Sequence, residues 1–203
     1  MNVYDFDNTI LKGDSSILFY FYSYKKHPFL MIWYLFKTIW WGLLHIFKII
    51  DFKTLKENMY SYVCEIDDLD EMLQEFWNKN VSRIKKFYLD NQKEDDVIIS
   101  ASFDFILIPI CNKLNISNLI CTKYNLKTGK IIGNNVKDFE KVKLFKKIFN
   151  NKKMFNAYSD SGSDLPMLEY ADKGYVVRNE ELIPLNDYKF KRKYIKKYSR
   201  VRK

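Results

Sequence analysis

Apolar positions fall into two rhythms along the chain. Short, nearly continuous apolar runs at 2–5, 97–100, 117–122 and 154–158, with a fifth candidate at 174–177, predict buried strands. Helical stretches at 103–114 and 137–149 separate the later runs, so the second half alternates strand and helix and predicts a parallel sheet covered by helices. Residues 15–89 instead keep helical periodicity without a convincing strand. The expected architecture is a doubly wound α/β core of residues 1–13 and 91–188. An all-helical cap, 14–90, is inserted after the first strand, and a basic tail, 189–203, follows.

Composition changes this picture in one place. Of the 34 Lys and Arg, nine lie in residues 189–203, which hold no acid; the remaining 25 balance 25 acidic residues, so the net charge of +9 belongs to the tail. Few Gly and Pro and many Tyr and Phe indicate a folded globular chain of a size that buries one core with an inserted lobe. Cys64, Cys111 and Cys121 have neither zinc nor redox spacing and read as reduced, buried thiols. The start runs directly into Val3-Tyr4-Asp5, which predicts no signal peptide and a cytoplasmic body.

Two acidic pairs carry the candidate chemistry. Asp5-Phe6-Asp7-Asn8-Thr9 follows the first strand, placing both carboxylates where ligands bind in open α/β sheets. Such a pair can divide attack and proton transfer between its members, although an isolated Asp-x-Asp is more often a turn whose acids cap the next segment. Ser159-Asp160-Ser161-Gly162-Ser163-Asp164 follows another apolar strand, and its carboxylates suit a hard cation such as Mg2+. Asp160 is the candidate direct ligand and Asp164 an outer partner. Between the pairs, Ser100 closes a strand where a hydroxyl and free amides can hold phosphate oxygens, and Lys141 can neutralise them. Lys143 competes for that role. His27 and His45 lie far from every acidic motif.

In this order the motifs resemble the haloacid dehalogenase superfamily, in its phosphoserine-phosphatase-like branch, whose core is Rossmann-like. The resemblance spans roughly residues 1 to 180, and its first and last motifs are the specific ones. It implies an Mg2+-dependent phosphomonoesterase: Asp5 as nucleophile, Asp7 as acid and base, and Thr9, Ser100 and Lys141 around the phosphate. The metal would be held by Asp5, the Asp7 carbonyl and Asp160, with Asp164 behind it. Ser159 and Ser163 depart from the usual loop. Retention of Asp5, Asp7 and Asp160 argues against a non-catalytic binding module.

Substrate choice is expected in the cap. Asp14 stands where phosphoserine phosphatases carry a glutamate that meets the substrate ammonium, but no cap arginine answers to the one expected for the serine carboxylate. Residues 28–50 are apolar and aromatic; as one helix they gather Tyr34, Lys37, Thr38, Trp41, His45 and Lys48 into one stripe. That stripe suits a membrane interface, whereas Lys37 and Lys48 disfavour a spanning helix; alternatively the helix forms the core of the cap. Phe190, Tyr194, Tyr198 and Val201 recur at helical spacing in the tail, which suits an anionic membrane surface; a solvated, disordered extension and a nucleic-acid arm are the alternative readings. Together with Tyr158-Ser159-Asp160-Ser161, the cap is similar to that of phosphatidylglycerophosphate phosphatases. The partner is therefore a phosphorylated small molecule or lipid.

Overall fold

The computed structural model describes residues 1–150, 152–190, 194, 197 and 198. Its centre is a seven-stranded sheet in the order β4-β3-β2-β1-β5-β6-β7. The strands are β1 (Asn2–Tyr4), β2 (Val97–Phe103), β3 (Asn118–Asn125), β4 (Lys130–Ile132), β5 (Asn156–Ser159), β6 (Lys173–Arg178) and β7 (Glu181–Pro184). The five inner strands are parallel, as expected, but β4 and β7 pair antiparallel at the two edges, so the sheet is mixed. These edge strands are three and four residues long, too short to leave a period-two pattern. They exist because left-handed turn residues, Gly129 at φ 67° and Asn179 at φ 55°, fold the chain back on its neighbour.

Alternation along the inner strands divides the core by face. Tyr4, Ile98 and Cys121 point one way, while Val3, Val97, Ile99, Ile120, Ala157 and Val176 point the other. The first face is covered by α6 (Asp104–Lys113), the second by α7 (Phe139–Ile148) and α8 (Leu165–Tyr170), which makes the sheet doubly wound. Tyr4, Tyr158 and Tyr175 stack across three adjacent strands with centroids 4.4 and 5.2 Å apart.

Between β1 and β2 the chain forms only helices, chiefly α1 (Ser15–Lys26), α2 (Pro28–Ile46), α3 (Phe52–Tyr60), α4 (Leu69–Asn80) and α5 (Lys86–Leu89). The lobe's entry and exit are stitched together: Lys12 N donates to Arg83 O and Lys85 N to Ile10 O, both at 2.8 Å. Its core is continuous with one sheet face, because Phe19 meets Phe105 of α6 edge to face at 6.2 Å and Trp77 Nε1 donates to Ile106 O of α6 at 2.7 Å.

Helix α2 departs from the expectation that it forms the core of the cap. Only Met31 and Tyr34 are buried, so it is not the core of the cap. Its polar stripe faces the protein: Tyr34 Oη donates to Glu65 Oε1 at 2.6 Å, Tyr20 and Thr38 hydroxyls lie 3.1 Å apart, and His45 Nδ1 is 3.1 Å from Ile50 O. Phe29, Ile32, Trp33, Phe36, Ile39, Trp40, Leu43 and Ile46 form the exposed stripe instead. The polar groups turn inward because they find hydrogen-bond partners there. By length and apolarity α2 could cross a membrane.

Two smaller expectations also change. Cys111 and Cys121 are buried free thiols, but Cys64 is exposed. In the tail, Phe190 and Tyr198 are buried against the second sheet face with Tyr194 beside them, so that stripe is spent on the protein itself; Val201 lies outside the described residues.

Candidate active site

Parallel strands in register end along one edge of the sheet, and this brings distant motifs together. Val3 pairs with Val97 and with Ala157, so Asp5, one residue past β1, lies between the ends of β2 and β5, where Asp5 N donates to Tyr158 O at 2.9 Å. A register shift in β2 between Ser100 and Phe103 turns Ala101 and Ser102 toward the same edge. At the start of α7, Lys141 points its side chain back under the sheet edge.

There Lys141 Nζ lies 2.6 Å from Asp5 Oδ1 and 2.8 Å from Asp164 Oδ2, with all three side chains under 10 % exposed. Lys143 is exposed and reaches only Glu140 at 3.5 Å, so Lys141 is the lysine that meets the acids. Asp164 Oδ2 also accepts from Ser159 Oγ at 2.7 Å, which gives the unusual loop serine a purpose. Thr9 Oγ1 is 3.2 Å from Asp5 Oδ2 and 3.4 Å from Asp160 Oδ1, and accepts the Asp160 amide at 2.9 Å. Thr9 thus ties the two acidic motifs together rather than facing the cavity. Ser100 is fully buried, and its Oγ accepts the Ser102 amide at 3.0 Å; Ser102 lines the cavity in its place.

Asp7 sits beside this cluster. Its Oδ1 accepts Ser15 N at 2.6 Å and its Oδ2 accepts Ser102 Oγ at 2.5 Å. Burial, helped by the charge of Asp14 and opposed by these hydrogen bonds, pushes its carboxyl up to about 6. Burial also raises Asp5, against the pull of Lys141, and Asp160, against Arg178 and Lys85. Burial acts to lower Lys141, but Asp164 and Asp5 outweigh it and keep the ammonium charged.

The site opens into a cavity of about 400 Å³ between the sheet edge and the helical lobe. Asp14, which also caps α1 by accepting Ile17 N at 2.9 Å, lines it with Phe52, Tyr60 and Lys56. Lys56 is the residue the sequence reading passed over. It comes from α3, donates to Ala101 O at 2.6 Å and to Asn135 Oδ1 at 3.1 Å, and burial lowers it to about 8. Only its membership in an amphipathic cap helix hinted at this, because nothing local marks which helix face looks into a cleft.

The donor set bears on a metal. Among the described residues no three His, Cys, Asp or Glu side chains form a metal cluster. However, Asp5 and Asp160 share the Thr9 hydroxyl, offer only oxygens, and are held above the ordinary carboxylate range by burial. Two buried side-chain carboxylates joined by one hydroxyl, all oxygen donors, fit Mg2+, which keeps water and phosphate oxygens in its remaining positions.

Several solved structures share this fold. A protein of unknown function from Bordetella pertussis Tohama I superposes with a TM-score of 0.69 at 17% identity, covering 86% of this chain and 87% of that one. A phosphoserine phosphohydrolase-like protein from Francisella tularensis gives 0.54 at 19% identity, over 89% and 88%. A phosphoserine phosphatase with a phospho-aspartyl intermediate analogue gives 0.54 at 16% identity, over 85% and 83%. At these identities the likeness is one of fold. No curated protein matches the sequence. Residues 3–169 match the family described as haloacid dehalogenase-like hydrolase, and this chain belongs to that family.

Proposed function

We propose that this hydrolase cleaves a phosphate monoester through a phosphorylated Asp5. The supporting observation is the placement of Asp5: one oxygen on Lys141, the other on Thr9, with Asp7 and Asp160 alongside. An Asp5 oxygen attacks phosphorus as the bond to the leaving oxygen breaks, and Asp7 gives that oxygen its proton. Water then attacks the phosphorus of the acyl phosphate, Asp7 takes its proton, and the Asp5 carboxylate is released. A carboxyl near 6 suits a group that must both give and take a proton. Lys141, held by Asp164, supplies a fixed positive charge for the phosphate oxygens. Bound by Asp5, the Asp7 carbonyl and Asp160, Mg2+ would supply the charge that lets an anionic ester approach a carboxylate. Asp5→Asn is expected to abolish Mg2+-dependent phosphate release from p-nitrophenyl phosphate while leaving the melting temperature within a few degrees. A folded, active Asp5→Asn protein would remove this mechanism.

The substrate on this reading is a lipid-linked or amphiphilic ester, met at the cytosolic face of a membrane. Phe52 of the cavity wall meets the His45 ring of α2 edge to face at 6.0 Å, and exposed Phe47 and Ile49 follow that helix in sequence, so apolar surface lies beside the cavity for a hydrocarbon chain. With its polar side fastened to the lobe, α2 would lie in the interface rather than span it. The nine basic residues of 189–203 would add attraction to anionic headgroups. One observation favours a soluble substrate of the phosphoserine type instead: Asp14 and Lys56 line the cavity with opposite charges, as a zwitterion requires. Comparing phosphatidylglycerol phosphate with phosphoserine as substrates separates the two.

A further inference from the structure

Asp138 introduces α7 with φ 55° and ψ −128°, a backbone conformation that costs an L-residue energy unless its surroundings impose it. Its carboxylate makes no cap to α7. Instead it faces the C-terminal segment, where Lys197 Nζ lies 2.7 Å from Oδ2 and the Tyr198 hydroxyl donates to Oδ1. The same hydroxyl lies 3.0 Å from Ser163 O, and the Tyr198 ring is buried edge-on to Phe139, with centroids 5.4 Å apart. Tyr198 therefore sits on two segments at once. One begins three residues before Lys141, and the other is one residue before Asp164.

A second observation places the tail at the same spot. Gly162 lies between Asp160 and Asp164, and its φ is not in the left-handed region, so the backbone does not call for glycine. A Cβ there would lie 2.5 Å from the Tyr194 ring. The glycine is explained by the tail passing over it.

We propose that Tyr194, Lys197 and Tyr198 form a strap across the active-site loops, with Tyr198 as a positioning residue. It fixes the start of α7 against the loop of Asp160 and Asp164, at the spacing that the single ammonium of Lys141 bridges. The consequence for turnover rests on the phosphatase reading above; the docking of the strap does not. An error of about 1 Å in such a cluster costs up to roughly a hundredfold in rate.

Four variants of the full chain test this: Tyr198→Phe, Gly162→Ala, Tyr194→Ala, and Gly162→Ala combined with Tyr194→Ala. Docking is read from the rate at which trypsin releases the Lys- and Arg-rich tail, and positioning from kcat and KM on p-nitrophenyl phosphate with saturating Mg2+. Tyr198→Phe keeps the ring and is expected to lower kcat about tenfold with KM unchanged and the melting temperature lower by only a few degrees. Gly162→Ala should speed tail release and lower kcat, and removing the Tyr194 ring should restore part of that kcat by making room for the methyl group. Wild-type kcat in Tyr198→Phe overturns the positioning role. Unchanged tail release in Gly162→Ala, or purely additive effects of the two substitutions, overturns the strap. Loss of the phosphatase reading would show separately, as activity surviving Asp5→Asn, while the trypsin comparison still reports on docking.

Discussion

Replacing Lys141 with methionine keeps the length of the side chain and removes its charge. Lys141 touches Asp5 and Asp164 at 2.6 and 2.8 Å in a site closed to solvent. At an effective dielectric constant near 20 each contact is a gross attraction of about 6 kcal/mol, most of it offset by the desolvation of the three charges. Removal of one partner of such a cluster strands the others, and that costs about 3–5 kcal/mol. For a chain of this size the fall in melting temperature is roughly 6–20 °C. The lost charge also lay against the attacking group, so kcat/KM should drop by about a hundredfold to a thousandfold. Chemical denaturation and p-nitrophenyl phosphate kinetics measure the two effects. Combining Lys141→Met with Asp164→Asn removes one stranded carboxylate and should recover about 1–3 kcal/mol relative to the single variant. Lys143→Met, two residues away and exposed, serves as the control and should change neither quantity. Equal effects from Lys141→Met and Lys143→Met, or a double variant less stable than Lys141→Met, would refute the bridging role.

Lys56 has a depressed folded-state value near 8, so between pH 8 and the ordinary lysine range the folded chain binds fewer protons than the unfolded one, and this group's contribution to stability rises with pH. Over the same window its positive charge leaves the cavity, and KM for an anionic substrate should rise above pH 8 in the wild type but not in Lys56→Met; parallel KM profiles would contradict this. Trp33→Glu combined with Trp40→Glu should abolish co-flotation with phosphatidylglycerol vesicles while leaving p-nitrophenyl phosphate hydrolysis intact, and a wild-type protein that never floats would sink the interfacial role of α2. Trp77→Phe deletes the hydrogen bond from α4 to Ile106 O and leaves a void, which should cost about 1–3 kcal/mol in urea denaturation; an unchanged midpoint would show that the lobe is not anchored there.

The inner strands and the helices α6 and α7 were legible in the sequence because a buried strand in a parallel sheet is a short apolar run with no competing pattern. The acids were legible too, since Asp5, Asp7, Asp160 and Asp164 stand just past such runs, and parallel strands in register carry their ends to one edge. The edge strands β4 and β7 were not, being too short for periodicity to register. Periodicity gave the two sides of α2 but not which side faces the protein, because a stripe of Tyr, Thr, Lys and His is equally able to meet water or hydrogen-bond partners in a neighbouring helix. Lys56, the exchange of Ser102 for Ser100 at the cavity wall, and the passage of Tyr194 over Gly162 depend on contacts between residues some 30 to 90 positions apart or on a two-residue shift in strand register. Local pattern thus names the groups able to do the chemistry, whereas the fold selects which of them meet, since distances across it follow from packing that no local pattern encodes.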